Sequence, residues 1–176
     1  THPRSHRPNK HFQLTLVRPA TPGDFETILR LNSEWEHVTS RLEHDSLVRL
    51  HEGALYHRVC ELDSQVVAFL LALGPGVDYD SPNYRWFCST GDEFIYIDRI
   101  VVDREHQGAG LGDALYGDLL AFARQRGIPR LVCEVDVEPL NEASDRFHAR
   151  RGFVEVGTQL VAGGSKRVSL RECIVV

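Results

Sequence analysis

Tyr96-Ile97-Asp98-Arg99-Ile100-Val101-Val102-Asp103-Arg104-Glu105-His106-Gln107-Gly108-Ala109-Gly110-Leu111-Gly112 decides how the chain is read. Its first half is a run rich in β-branched residues, which suits a strand; a polar turn follows, then glycines at alternate positions. Asp113-Ala114-Leu115 then opens a helix-forming segment. Glycines at the start of a helix let a bulky ligand approach the backbone. The unpaired amides of the first turn, with the positive end of the helix dipole, favour a phosphate there.

The spacing separates the phosphate ligands. A nucleoside triphosphate loop requires Gly-x-x-x-x-Gly-Lys-Ser/Thr, and no glycine here precedes Lys-Ser or Lys-Thr at that spacing. A dinucleotide fingerprint, Gly-x-Gly-x-x-Gly, fails in both registers: its last position falls on Asp113 counted from Gly108 and on Leu115 counted from Gly110. A nucleotide-dependent oxidoreductase is therefore disfavoured.

The segment Gln107-x-x-Gly110-x-Gly112, preceded by the strand end Ile100-Val101-Val102, resembles motif A of the GNAT superfamily of acetyl-CoA-dependent N-acyltransferases. Downstream, Asn141 follows the next strand, and Phe147-His148-Ala149-Arg150-Arg151-Gly152-Phe153 is similar to the family's Tyr-x-x-x-Gly-Phe segment. The resemblance implies an α/β GNAT fold. Its sheet would be mixed and mostly antiparallel, flanked by helices, and splayed between the central strand (93–102) and the next (130–137).

Length and composition bound the rest. A chain of 176 residues is long enough for one substantial core. Residues 1–11 carry two prolines, several charges and almost nothing apolar, and read as a disordered tail ahead of a single domain over 12–176. A formal net charge of −5 gives no basic footprint for nucleic acid. No apolar run approaches the roughly 18 to 20 residues of a membrane span, so a cytoplasmic protein is expected. Cys60, Cys88, Cys133 and Cys173 are widely separated, which predicts free thiols, three of them in apolar strand-like runs. His37, His44 and His51 recur every seven residues; about 10 Å along a helix is too far to share an ion, so a solvated helix face and no metal are expected.

Periodicity supplies the remaining elements. Strands are predicted over 12–18, 55–62 and 65–73, the last two joined by a hairpin at Asp63-Ser64. Helices are predicted from Pro22 to about Ser33 and from about Val38 to His51, and a third from the glycine loop to near Gly127. A strand over 130–137, a short helix over 141–151 and a hairpin turning at Gly163-Gly164 complete the chain. The connection 74–92 is unusually long. Its Tyr79, Tyr84, Arg85, Trp86 and Phe87 read either as a substrate grip, with Tyr84, Arg85 and Trp86 the candidate substrate-binding residues, or as pins to the core.

The resemblance also implies site residues. The diphosphate of acetyl-CoA would rest on Gln107, Gly108, Ala109, Gly110, Leu111 and Gly112. Its pantetheine arm would pair with the backbone of Ile100, Val101 and Val102, with Asn141 and Phe147 beside it. An amide near Val102 would serve as the oxyanion donor. The reaction implied is direct attack by a neutral amine of a small molecule or peptide on the thioester, which needs a proton acceptor. Asp98, Glu134 and Glu93 are the candidates, in that order, with Tyr96 near the position where some members carry a glutamate; for Asp98 a structural pairing with Arg99 or Arg130 is the alternative. The acid for the departing sulfur is usually a tyrosine, and here that position is His148. That departure keeps open a second reading, a CoA-binding module without catalysis. The resemblance further suggests a homodimer formed through the last strands.

Overall fold

A computed structural model describes residues 13–91 and 93–176. The tail expected over 1–11 and the start of the first predicted strand lie outside the described residues. The strands are β1 (Thr15–Pro19), β2 (Tyr56–Leu62), β3 (Gln65–Leu73), β4 (Ile95–Val102), β5 (Arg130–Glu138), β6 (Val154–Val161) and β7 (Lys166–Ile174). The helices are α1 (Phe25–Ser33), α2 (His44–Gly53), α3 (Pro82–Cys88), α4 (Leu111–Gln125) and α5 (Glu142–Arg150).

The strands form one open sheet in the order β1-β2-β3-β4-β5-β7-β6. Every neighbouring pair is antiparallel except β4 and β5, which are parallel because α4 carries the chain back between them. Asp63 and Ser64 both adopt positive φ, at 48° and 68°, the conformation of a tight hairpin between β2 and β3. Helices cover both faces. Ile28, Leu31, Leu47 and Phe87 pack with Phe69, Leu71 and Tyr96 on one side, while Leu115, Leu119 and Ala123 pack with Ala68, Leu70 and Ile97 on the other. With both faces covered, β3 reads as a continuous apolar run rather than an alternating one.

Two features place the site. The β4–β5 pairing is confined to Ile95↔Leu131 and Tyr96↔Val132, although both strands continue well beyond it. A register shift in the β3–β4 ladder, from Leu71↔Arg99 to Ala72↔Ile97, leaves Asp98 as the extra residue of a bulge. A bulge bends its strand and increases local twist. It therefore turns the far half of β4 away from β5 and opens a gap between Ile97–Val102 and Cys133–Asp136.

Three expectations are corrected. The second helix starts at His44 rather than Val38, because its cap Glu43 is extended and Ser40 is held by Arg99 and Asn32 instead of entering a helix. His37 consequently lies outside the helix and stacks on Trp35, while His44 and His51 share the α2 face that packs on Phe25, and His51 Nδ1 lies 2.8 Å from His57 Nδ1. The connection 74–92 contains α3, with Ser81 accepting from the Tyr84 amide at its start and Pro82 in its first turn. All four cysteines are free; Cys60 and Cys133 are buried, Cys173 is intermediate and Cys88 is exposed. Among the described residues, no helix is long and apolar enough to cross a membrane, and no group of three or more His, Cys, Asp or Glu is placed to hold a metal.

Candidate active site

The gap between β4 and β5 widens into a cleft of about 690 Å³. Its outer end is the glycine loop. Asp103 caps a short turn over Arg104–His106, and Gly108 and Gly110 then take φ of 78° and 79°, a left-handed conformation that a side chain would strain. No atom stands within 4 Å of where a Cβ would project from Gly108 or Gly110, so the hollow is open. The first backbone bond of α4 runs from Ala114 N to Gly110 O at 3.0 Å, which leaves the amides of Leu111, Gly112 and Asp113 unpaired within the helix. Gly112 is needed for another reason. A Cβ there would stand 2.8 Å from Phe147 Cε2, and Phe147 lies under the Arg151 guanidinium, 3.2 Å from ring centroid to Cζ.

The middle of the cleft is bare backbone. Asp103 N donates to Val67 O at 2.8 Å, so by strand alternation Val101 faces β3 while the amides and carbonyls of Ile100 and Val102 face the gap. One of those groups is taken: Trp35 Nε1 donates to Val102 O at 2.9 Å. Sequence reasoning did not single out Trp35, since nothing in a helix-to-helix connection signals contact with a strand 67 residues on.

Titratable groups gather at the inner end. Tyr96 Oη donates to Glu134 Oε2 at 2.8 Å. Gln159 Nε2 donates to Asn83 Oδ1 at 3.0 Å, turning the Asn83 amide nitrogen toward the same carboxylate. Burial pushes the Glu134 carboxyl up to about 7, the Asp98 charge adds to that, and the Tyr96 and Asn83 hydrogen bonds oppose it. Burial, and then the Glu134 charge, also hold the Tyr96 hydroxyl well above its ordinary value, so it remains a donor. Asp98 is differently placed: Arg99 Nε lies 2.7 Å from Oδ2, and the Tyr79 hydroxyl donates to Oδ1. Both of its oxygens are engaged. Glu93 is exposed and lies outside the cleft.

His148 lies at the cleft wall but is 5% exposed, with both ring nitrogens occupied. Nδ1 is 2.8 Å from the Ser144 carbonyl, an acceptor only, so Nδ1 carries the hydrogen and Nε2 accepts from Tyr116 Oη at 2.6 Å. Burial lowers its pKa below 6.5. This arrangement presents no free N–H to a departing sulfur. Asn141 lines the cleft and caps α5, its Oδ1 accepting from Ser144 N at 3.2 Å. Tyr84, Arg85 and Trp86 do not line the cleft. The Tyr84 hydroxyl bonds Gly74 O at 2.8 Å and Val77 N at 2.9 Å, Arg85 pairs with Asp80, and Trp86 packs on Gly157. From the same connection, Tyr79, Ser81 and Asn83 reach the cleft instead.

The model of the acetyltransferase (GNAT) family matches residues 20–153. The chain belongs to the GNAT acetyltransferase family. Solved structures share the fold of this GNAT protein. Ard1 from Thermoplasma volcanium superposes with a TM-score of 0.75 at 19% identity, over 92% of this chain and 98% of that one. The ribosomal-protein-S18-alanine N-acetyltransferase from Escherichia coli gives 0.66 at 16% identity, over 92% and 94%. Arabidopsis thaliana NAA60 in complex with acetyl-CoA gives 0.73 at 15% identity, over 92% and 100%. No curated protein sequence matches this GNAT chain.

Two outcomes follow for the site. Gly112→Ala forces the Phe147 ring and the start of α4 apart, and the overpacking lowers folding stability by about 1–3 kcal/mol, read as a lower Tm. An unchanged Tm contradicts the close approach. Nitrogen-15 NMR of His148 at neutral pH shows the uncharged Nδ1–H tautomer. An imidazolium signal at that pH contradicts the sequestered ring.

Proposed function

We propose that this GNAT protein moves an acetyl group from acetyl-CoA to a primary amine of a small molecule or peptide, by direct attack with both substrates bound. The observation that carries this reading is the continuous cleft, with open glycine amides at one end, unpaired strand backbone along it, and a carboxyl of raised pKa at the other. The glycine loop and Phe147 fit a diphosphate and the chain leading from it. Leu111, Gly112 and Asp113 direct their amides at the anion, aided by the positive end of α4. Ile100 and Val102 offer the arm strand-like hydrogen bonds, with the Val102 carbonyl already held by Trp35. Acetyl-CoA supplies an activated acyl group and a thiolate leaving group.

Glu134 receives the amine's proton as the C–N bond forms and the C–S bond breaks. At a pKa of about 7 it is charged in a useful fraction at neutral pH and still basic enough to accept a proton. Tyr96 and Asn83 orient the carboxylate. Glu134 thus precedes Asp98 in this reading, because both Asp98 oxygens are already engaged. A backbone amide at Val102 faces the developing oxyanion. The sulfur leaves as a thiolate, which a thiol pKa of about 8.5 permits without a side-chain acid. His148 serves here by packing. The named acceptor of the bacterial neighbour, an alanine amine, illustrates the acceptor class and does not select within it.

Thiol release from acetyl-CoA is measured with an alanine-starting peptide, spermidine and free lysine, alongside CoA binding. Amine-dependent release is expected. Binding without release for any amine contradicts transfer and favours the non-catalytic CoA-binding module. Glu134→Gln lowers kcat by about 10²-fold or more, and the wild-type rate rises with pH through about 7, as the carboxyl loses its proton. The stability sign is opposite. A folded value of about 7 above the ordinary 4.5 means the fold loses stability as pH rises through that window, so Glu134→Gln raises Tm at pH 8. A variant with undiminished kcat, or with no gain in Tm at pH 8, contradicts the assignment.

A further inference from the structure

The Asp98–Arg99 pair lies at the bulge of β4 with side chains only 4% and 5% exposed. Because of the bulge both side chains turn to the same face, where strict alternation would have separated them. Each reaches a different wall of the cleft. Arg99 Nη1 donates to Asn32 Oδ1 at 2.9 Å and to Ser40 O at 3.0 Å, and Nη2 donates to Ser40 Oγ at 2.9 Å. These bonds hold the connection between α1 and α2. Asp98 accepts from the Tyr79 hydroxyl, which holds the start of the connection leading into α3. Burial, reinforced by the Asp98 charge, keeps Tyr79 protonated and therefore a donor.

A buried ion pair rarely adds net stability over apolar residues of the same size, because desolvation offsets its attraction. What it adds is a fixed geometry with no alternative partners. Resting on the transferase reading above, we propose that Asp98–Arg99 is a positioning pair that sets the separation of the two acceptor-side walls, the 35–40 connection and Tyr79, and so governs how tightly the amine is held. Neither side chain hydrogen-bonds to the glycine loop or to Glu134; the Asp98 charge raises the Glu134 pKa, but the carboxyl that takes the proton is held by Tyr96 and Asn83, so acetyl-CoA binding and the proton acceptor remain in place without the pair.

Asp98→Asn removes the charge, and Tyr79→Phe releases one wall while leaving the ion pair whole, which covers the case in which the first variant fails to fold. Each is assayed with whichever of the alanine-starting peptide, spermidine or lysine the wild type turns over best. The expected result is an acceptor KM raised about tenfold, the loss of roughly one hydrogen bond. The acetyl-CoA Kd stays within about twofold and the rate keeps a rising pH limb, in place for Tyr79→Phe and moved to lower pH for Asp98→Asn, which removes a charge that raises Glu134. A kcat lowered about 10²-fold with that pH limb lost and acceptor KM unchanged overturns the proposal, since Asp98 would then be the base. Unchanged acceptor KM in both variants overturns it as well. Should the wild type bind CoA but acetylate none of the amines, the transferase reading fails separately. Hydrogen exchange still decides the pairing: amides of 36–41 and 77–81 must exchange faster in Asp98→Asn while those of 108–114 do not, and equal protection overturns it.

Discussion

Two parallel strands that stop pairing after two residues set the terms for everything around them. Backbone donors and acceptors inside a protein must be satisfied, yet from Ile97 onward β4 has β3 on one side only. The bulge at Asp98 makes the divergence part of the ladder's geometry rather than a fraying of its end. Trp35 caps one exposed carbonyl, and the remaining groups at Ile100 and Val102 await a guest that can itself form strand-like bonds. A pantetheine arm with its two amides has that shape. The glycine loop lies where such a guest would end, because the short connection from Val102, the end of β4, to Leu111, the start of α4, contains it.

The same divergence governs the electrostatics. Parting the strands leaves Glu134, paired with Leu170 of β7 on one side, beside a recess on the other, with the Tyr96 hydroxyl as its donor from β4 and Asn83 as a second. Desolvation outweighs those hydrogen bonds and lifts the carboxyl, whereas Asp98, 36 residues earlier, is locked against Arg99. Two nearby carboxylates thus differ through their surroundings: Asp98 is bonded through both oxygens, and burial raises the Glu134 pKa to about 7. His148 lies in a third environment, dry and doubly bonded on the other face of the sheet, beside Tyr116 and Phe153.

Much of this was legible in the residues. The alternating glycines between a β-branched run and a helix marked the loop; together with Asn141 and the Phe147–Phe153 segment they carried the resemblance to the family, and the resemblance implied the splayed strands. The β2–β3 hairpin followed from Asp63-Ser64. The bulge was hidden, since Tyr96 to Val102 reads as an unbroken strand. The residues alone leave Asp98 open to a role as base or to a structural pairing with Arg99 or Arg130; the bulge, which turns Asp98 and Arg99 to one face, decides for Arg99. The 74–92 connection was read from its aromatics. Tyr84 and Trp86 satisfy local needs in the core and on Gly157, while Tyr79 and Asn83 reach the cleft from the edges of α3. A helix of seven residues offers too short a window for periodicity to reveal which side chains turn inward. Trp35 could be found only through tertiary contact.

The central claim is that unpaired amides on β4 and at the start of α4 receive acetyl-CoA along the parted strands. Amide-resolved NMR hydrogen exchange, with and without saturating CoA, tests this most directly. Selective slowing at Ile100, Val102, Leu111 and Gly112, with no change across the β6–β7 ladder, is the predicted result. Protection confined to other segments, or none at these four positions while CoA is bound, would contradict it.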